Sequence, residues 1–160
     1  MEIKNKTINF FILNKIKIYF IGIILFLGIF SIVYVKNSIL KKNILISEKY
    51  IQANLYLTTN KKDEAKVLFE EIISSKNKFY SILALNTIIE KDLISNKNKI
   101  LEYFITLEKT ISKNDQEDLI ILKKALYLIK VLDEKKGIEL LNKLVEKNST
   151  LKTIAEDILK

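Results

Sequence analysis

The chain has 160 residues, a formal net charge of +8 and no Arg, His, Cys, Trp or Pro, so each of its 27 basic residues is a Lys. These absences exclude disulfides, thiolate or imidazole catalysis, and bidentate guanidinium recognition of a carboxylate or phosphate. Residues 1–50 carry +6 and residues 51–160 only +2, so the basic excess lies where a juxtamembrane segment would meet anionic headgroups, and the remainder has no electrostatic footprint for nucleic acid.

In chain order, residues 1–17 form a short tail with Lys4, Lys6, Lys15 and Lys17. Residues 18–35 then run without a charge between Lys17 and Lys36. As a helix rising about 1.5 Å per residue, this run would reach roughly 27 Å, close to the ~30 Å hydrocarbon thickness of a bilayer. Cleavage as a signal peptide would need small residues after the apolar stretch; no Ala precedes Ala53, and the exit reads Val35-Lys36-Asn37-Ser38-Ile39. An uncleaved transmembrane anchor is therefore expected. Tyr19 and Tyr34 sit one residue inside its ends, where amphipathic rings lie at headgroup level. Gly22, Gly28 and Ser31 are its only small residues and no two are four apart, so the small-xxx-small dimer motif is missing. Lys36, Lys41, Lys42 and Lys49 follow the run; with four Lys on each side, charge alone leaves the orientation open.

Residues 38–160 read as one all-α domain. Apolar residues recur three and four apart in successive stripes: Leu40, Ile44, Tyr50, Ala53, Leu57; Ala65, Leu68, Phe69, Ile72, Ile73; Tyr80, Leu83, Ala84, Ile88; Ile100, Tyr103, Phe104, Leu107; Leu119, Leu122, Ala125, Leu126, Ile129; Ile138, Leu141, Leu144, Val145; and Ile154, Ile158, Leu159. Polar breaks at Thr59–Asp63, Ser74–Asn77, Ser95–Asn98, Ser112–Asp115, Asp133–Lys136 and Asn148–Thr150 carry helix stop and start signals, with Asn60 suited to a left-handed cap. Period-two alternation is missing, so no strand is expected. The aromatic residues on or near these stripes, Phe79 and Tyr127 among them, are expected in the core. Tyr56 and Tyr103 are the candidates for gripping a partner, because an aromatic body with a polar tip suits a recognition surface.

Two blocks repeat. Ala53 precedes Ala65 by twelve residues and Phe69 follows four later; Ala125, Gly137 and Leu141 keep the same spacing 72 residues on. A middle unit fits between them, with Ala84 on its first helix and Phe104 on its second. Small residues at such positions let two helices approach closely, and the large residue fills the groove to the next pair. The pattern predicts a degenerate tetratricopeptide-like right-handed α-solenoid of about three helical pairs, held by Ala53, Ala65, Phe69, Ala84, Phe104, Ala125, Gly137 and Leu141. An irregular helical bundle is the alternative reading of the same spacing.

A catalytic reading finds little material. Adjacent carboxylates such as Glu70-Glu71 and Glu117-Asp118 do not converge, since neighbours on a helix point about 100° apart, so solvated faces are expected there. The stretch Asp115-Gln116-Glu117-Asp118 lacks the alternating ligands and glycine of a calcium loop, and suits a helix start. No glycine-rich phosphate loop occurs. The expectation is a non-enzyme without metal or cofactor, acting on neither a small molecule nor nucleic acid.

A tail, one uncleaved span and a three-pair helical domain together resemble the YfgM-like family of ancillary subunits of the SecYEG translocon. The matching stretches are Ser47-Glu-Lys-Tyr50-Ile-Gln-Ala53-Asn-Leu-Tyr56, Glu64-Ala65-Lys-Val-Leu-Phe69-Glu-Glu-Ile72 and Phe79-Tyr80-Ser-Ile-Leu-Ala84-Leu. The resemblance implies a bacterial inner-membrane protein with residues 1–17 in the cytoplasm and the repeats in the periplasm. It further implies association with the export channel and a periplasmic foldase, without catalysis. An anchored assembly factor for a cytochrome or other envelope complex would have the same architecture.

Overall fold

The structure, a computed structural model, describes residues 14–111 and 114–160, apart from the side chains of Ile18, Ile21, Asn114 and Asp115. Most of the expected tail, residues 1–13, and the Ser112-Lys113 part of one expected break lie outside the described residues. Among those described there are seven helices and no strand: α1 Lys15–Thr58, α2 Lys62–Ser74, α3 Tyr80–Glu90, α4 Lys97–Thr110, α5 Asn114–Val131, α6 Glu134–Glu146 and α7 Lys152–Ile158. The all-α expectation holds. The chain divides into two compact units, one ending at Ile44 and the other Leu45–Lys160.

In the first unit, α1 is long and apolar enough to cross a membrane by length and composition. From Tyr19 to Val35 every described large apolar side chain is more than half exposed. Such a surface is costly in water and favourable in hydrocarbon. Its one hydroxyl on a small side chain, Ser31 Oγ, donates back to the Leu27 carbonyl at 2.8 Å, which satisfies it within the helix. Leu40 and Ile44, assigned above to a packing stripe, are exposed as well.

The second unit begins within α1 and is built by local capping. Asn60, Lys76, Asp92 and Asn148 all adopt positive φ, between 48° and 58°. At three of them the closing bonds are those of a Schellman end: Lys61 N–H to Tyr56 O at 2.8 Å, Leu93 N–H to Ile88 O at 3.0 Å and Ser149 N–H to Leu144 O at 3.1 Å. Asn and Asp tolerate this conformation better than other side chains, so a chain with three glycines still ends its helices sharply. Starts are equally local. Asn96 Oδ1 accepts from Asn98 and Lys99 N–H, Asp133 Oδ1 from Lys136 N–H, and Asn77 Oδ1 from Phe79 and Tyr80 N–H.

The helices then pack on their neighbours. Tyr50 of α1 meets Phe69 of α2 edge-on at 5.8 Å and Tyr80 of α3 at 5.7 Å, and the Tyr80 hydroxyl donates to Ser47 Oγ at 2.9 Å. Phe104 of α4 lies 5.9 Å from Tyr127 of α5. At Gly137 of α6 an added Cβ would lie 2.7 Å from the Ala125 carbonyl oxygen and 2.5 Å from Ile129 Cγ1, so α5 and α6 are in backbone contact there. Ala53, Ala65, Phe69, Ala84, Ala125 and Leu141 have no exposed surface, Phe104 is almost fully buried, and Gly137 is buried. The core comprises two clusters. The larger runs from Ala53 to Ile120 and is joined by Tyr127; the smaller comprises Leu122, Ala125, Leu141, Leu144 and Ala155. Several expectations fail: Phe79 is 60% exposed, Leu126, Ile138 and Ile158 are exposed as well, and in α7 it is Ala155 rather than Ile154 that enters the core.

Candidate functional site

The second unit carries a groove of about 550 Å³ between the end of α3, the loop after it, α4 and α5. Its deepest lining is apolar and buried: Ile88, Ile94, Ile100 and Phe104. Above it stand Lys123, Tyr127 and Lys130 of α5, which share one helix face by their spacing, together with Glu90 and Asp92. Lys97 also lines it, but its Nζ donates to the Val131 carbonyl at 3.0 Å, closing the C-terminal end of α5. Burial pushes the Tyr127 phenol above its ordinary pKa and the nearby Asp92 charge adds to this, so the hydroxyl stays protonated and able to donate. Volume, apolar lining and a few polar groups match what a binding cleft needs.

The two expected partner-gripping tyrosines lie elsewhere. Tyr56 packs half-buried against the larger cluster, with Lys61 Nζ 5.8 Å over its ring. Tyr103 donates to Glu70 Oε1 at 2.9 Å, and Lys99 Nζ reaches the same oxygen at 2.6 Å. Burial would raise the Glu70 pKa, but the hydrogen bonds from Lys99 and Tyr103 outweigh it and hold the carboxyl below its ordinary value. Tyr103 is shifted up, by burial first and then by its bond to Glu70. Its polar tip is thus committed within the fold.

The expectation of solvated carboxylate faces needs correction at two positions. Glu70 has 24% of its side chain exposed and Asp118 only 5%. Asp118 accepts from Lys147 Nζ at 2.6 Å and Ser149 Oγ at 2.5 Å, which ties α5 to the turn after α6. Burial again opposes its charge, and the two hydrogen bonds more than offset that, so its pKa lies below the ordinary carboxylate value. It is a structural ion pair: its oxygens are occupied and it does not line the groove. Among the described residues no group of three or more acidic side chains could hold a metal ion.

No known protein family, curated protein or solved structure matches this chain. The groove residues Lys123, Tyr127 and Lys130 escaped sequence reasoning because α5 is packed from two sides: Ile120 and Tyr127 join one cluster while Leu122 and Ala125 join the other. The signal was present as a Lys-x₃-Tyr-x₂-Lys spacing on one face, but lysines of this chain recur so often that the spacing does not stand out.

Proposed function

We propose that this chain is a membrane-anchored helical-repeat scaffold that binds protein partners, an accessory of the export translocon and of periplasmic folding, and that Leu45–Lys160 is a tetratricopeptide-like solenoid. The observation that carries the reading is the combination, in one chain, of an apolar helix segment whose side chains are more than half exposed and an open groove with an apolar floor. The backbone contact of Ala125 with Gly137 and the complete burial of Ala53 and Ala65 support the repeat architecture, since small residues at matched positions are what paired repeat helices need. The resemblance to YfgM-like subunits supplies the bacterial inner membrane, the cytoplasmic tail, the periplasmic placement and the SecYEG and foldase partners.

Affinity purification of the full chain in mild detergent tests the partner. Recovery of translocon or foldase components is expected; recovery of subunits of a cytochrome or another envelope complex would reassign the chain to an assembly factor. A reporter fused after Lys160 tests topology, and activity of a cytoplasm-only reporter there would sink the export reading.

A further inference from the structure

The turn between α2 and α3 presents an aromatic ring and two unpaired cations outward. Phe79 is 60% exposed although its neighbours Ile72, Ile73 and Ile82 are buried. Lys76 and Lys78 beside it are exposed and, among the described residues, make no ion pair. The two adjacent carboxylates of α2 are paired elsewhere: Glu71 with Lys49 at 2.7 Å and Glu70 with Lys99 at 2.6 Å. The turn is rigidly built. Ser75 Oγ donates to Ile72 O at 2.6 Å, Lys76 takes a φ of 57°, and Asn77 Oδ1 accepts from Phe79 and Tyr80 N–H. The ring meets Tyr80 edge-on at 5.1 Å and still turns most of its surface outward.

Chain connectivity limits where this turn can go. Tyr80, next to Phe79, hydrogen-bonds Ser47, and Ser47 is only about twelve residues beyond Val35, the end of the apolar run. Even a fully extended stretch of that length reaches at most ~40 Å, so an anchored chain keeps Phe79 tethered within reach of a bilayer surface. An aromatic ring flanked by two free lysines fits the interface of an anionic leaflet, the ring at headgroup level and the ammonium groups on the phosphates.

We propose that Phe79, Lys76 and Lys78 form a lipid-contact site that seats the second unit on an anionic membrane surface. The inference rests on residues 18–35 being the membrane anchor. Each Lys near such a surface favours the seated state roughly fivefold, and salt weakens the attraction.

Because the chain contains no Trp, single Trp reporters can be placed cleanly. Full-length Phe79→Trp, Phe26→Trp and Leu132→Trp variants would be reconstituted into vesicles of phosphatidylcholine alone or mixed with phosphatidylglycerol, with brominated acyl chains as quenchers. Quenching of Phe79→Trp is expected in the anionic vesicles and not in the neutral ones. Adding Lys76→Gln and Lys78→Gln should lower the seated-to-free ratio roughly 25-fold. Quenching of Phe26→Trp with none of Phe79→Trp would overturn the lipid-contact site and leave the anchor standing. An unquenched Phe26→Trp would overturn the anchor and the site together. Equal quenching of Leu132→Trp, or quenching of Phe79→Trp that ignores lipid charge and the two lysines, would mean unspecific adsorption and also overturn the site.

Discussion

Gly137→Ala reverses the sign that helix propensity predicts. In an exposed helix interior this change would stabilise by about 1 kcal/mol. At this position the new methyl would stand 2.7 Å from the Ala125 carbonyl oxygen, 2.5 Å from Ile129 Cγ1 and 3.0 Å from Ile129 N. A side-chain tip can swing away, but two of these three atoms are backbone, so α5 and α6 must part. Overpacking of this kind costs about 1–3 kcal/mol. The net expectation is a loss of about 1 kcal/mol, or a fall of roughly 5 °C in Tm for a domain of this size. Thermal unfolding of the full chain in detergent, followed by circular dichroism at the helical band, provides the measurement. Combining the change with Ile129→Ala removes the Cγ1 contact and leaves the carbonyl contact, so the pair should couple favourably by about 0.5–1 kcal/mol. A Tm equal to or above that of the parent chain for Gly137→Ala would refute the backbone contact and with it the main support for a close helical pair.

Asp118→Ala removes a buried acceptor of two hydrogen bonds and should cost about 2 kcal/mol. Because the folded pKa of Asp118 is depressed, its contribution is complete above the unfolded value of about 3.9 and declines below it, vanishing once the folded carboxyl is protonated; the variant should flatten the acid limb of a Tm-against-pH curve, and an unchanged limb would contradict the assignment. Asn60→Ala places a Cβ-bearing residue without a local polar side chain at φ 58° and should lower stability by about 1 kcal/mol in the same assay, whereas Asn60→Gly should not. Lys123→Glu with Lys130→Glu reverses the charge of the groove's α5 wall; stability should stay within about 0.5 kcal/mol while recovery of a partner bound in the groove falls severalfold, and undiminished recovery would move the binding surface elsewhere.

The fold was legible where information is local. Asn60, Asn96 and Asp133 announce their helix ends through side-chain chemistry that acts within three residues, and the pair Ala125 and Gly137 announces its contact through spacing alone. Legibility failed where a helix answers to two neighbours. A single apolar stripe describes a helix packed from one side, but α5 buries Ile120 in one cluster and Leu122 in the other, so the expected stripe named Leu119 and Leu126, and Leu126 is exposed. Asp118 was unreadable for a related reason. Its partners Lys147 and Ser149 lie about thirty residues on, and no local pattern distinguishes a carboxylate awaiting them from one facing water. Phe79 misled in the opposite sense: as an aromatic beside a stripe it was expected in the core, yet the helix capped by Asn77 turns only Tyr80, the stripe residue, towards the cluster.

The sharing of α5 between two clusters also sets an order of assembly. The larger cluster needs nothing beyond Tyr127, so it can close while α6 and α7 are still being synthesised, and the emerging chain never has to hold its largest apolar surface open for a distant partner. The smaller cluster, only five buried residues, then zips onto an existing template. The same division should persist in the finished protein as two cooperative layers, with amides of α6 and α7 exchanging at lower opening free energy than those of α2 to α4; uniform exchange across both would show one indivisible core. By this division the helices that follow the apolar segment are complete first, and α6 and α7 are the part most easily loosened.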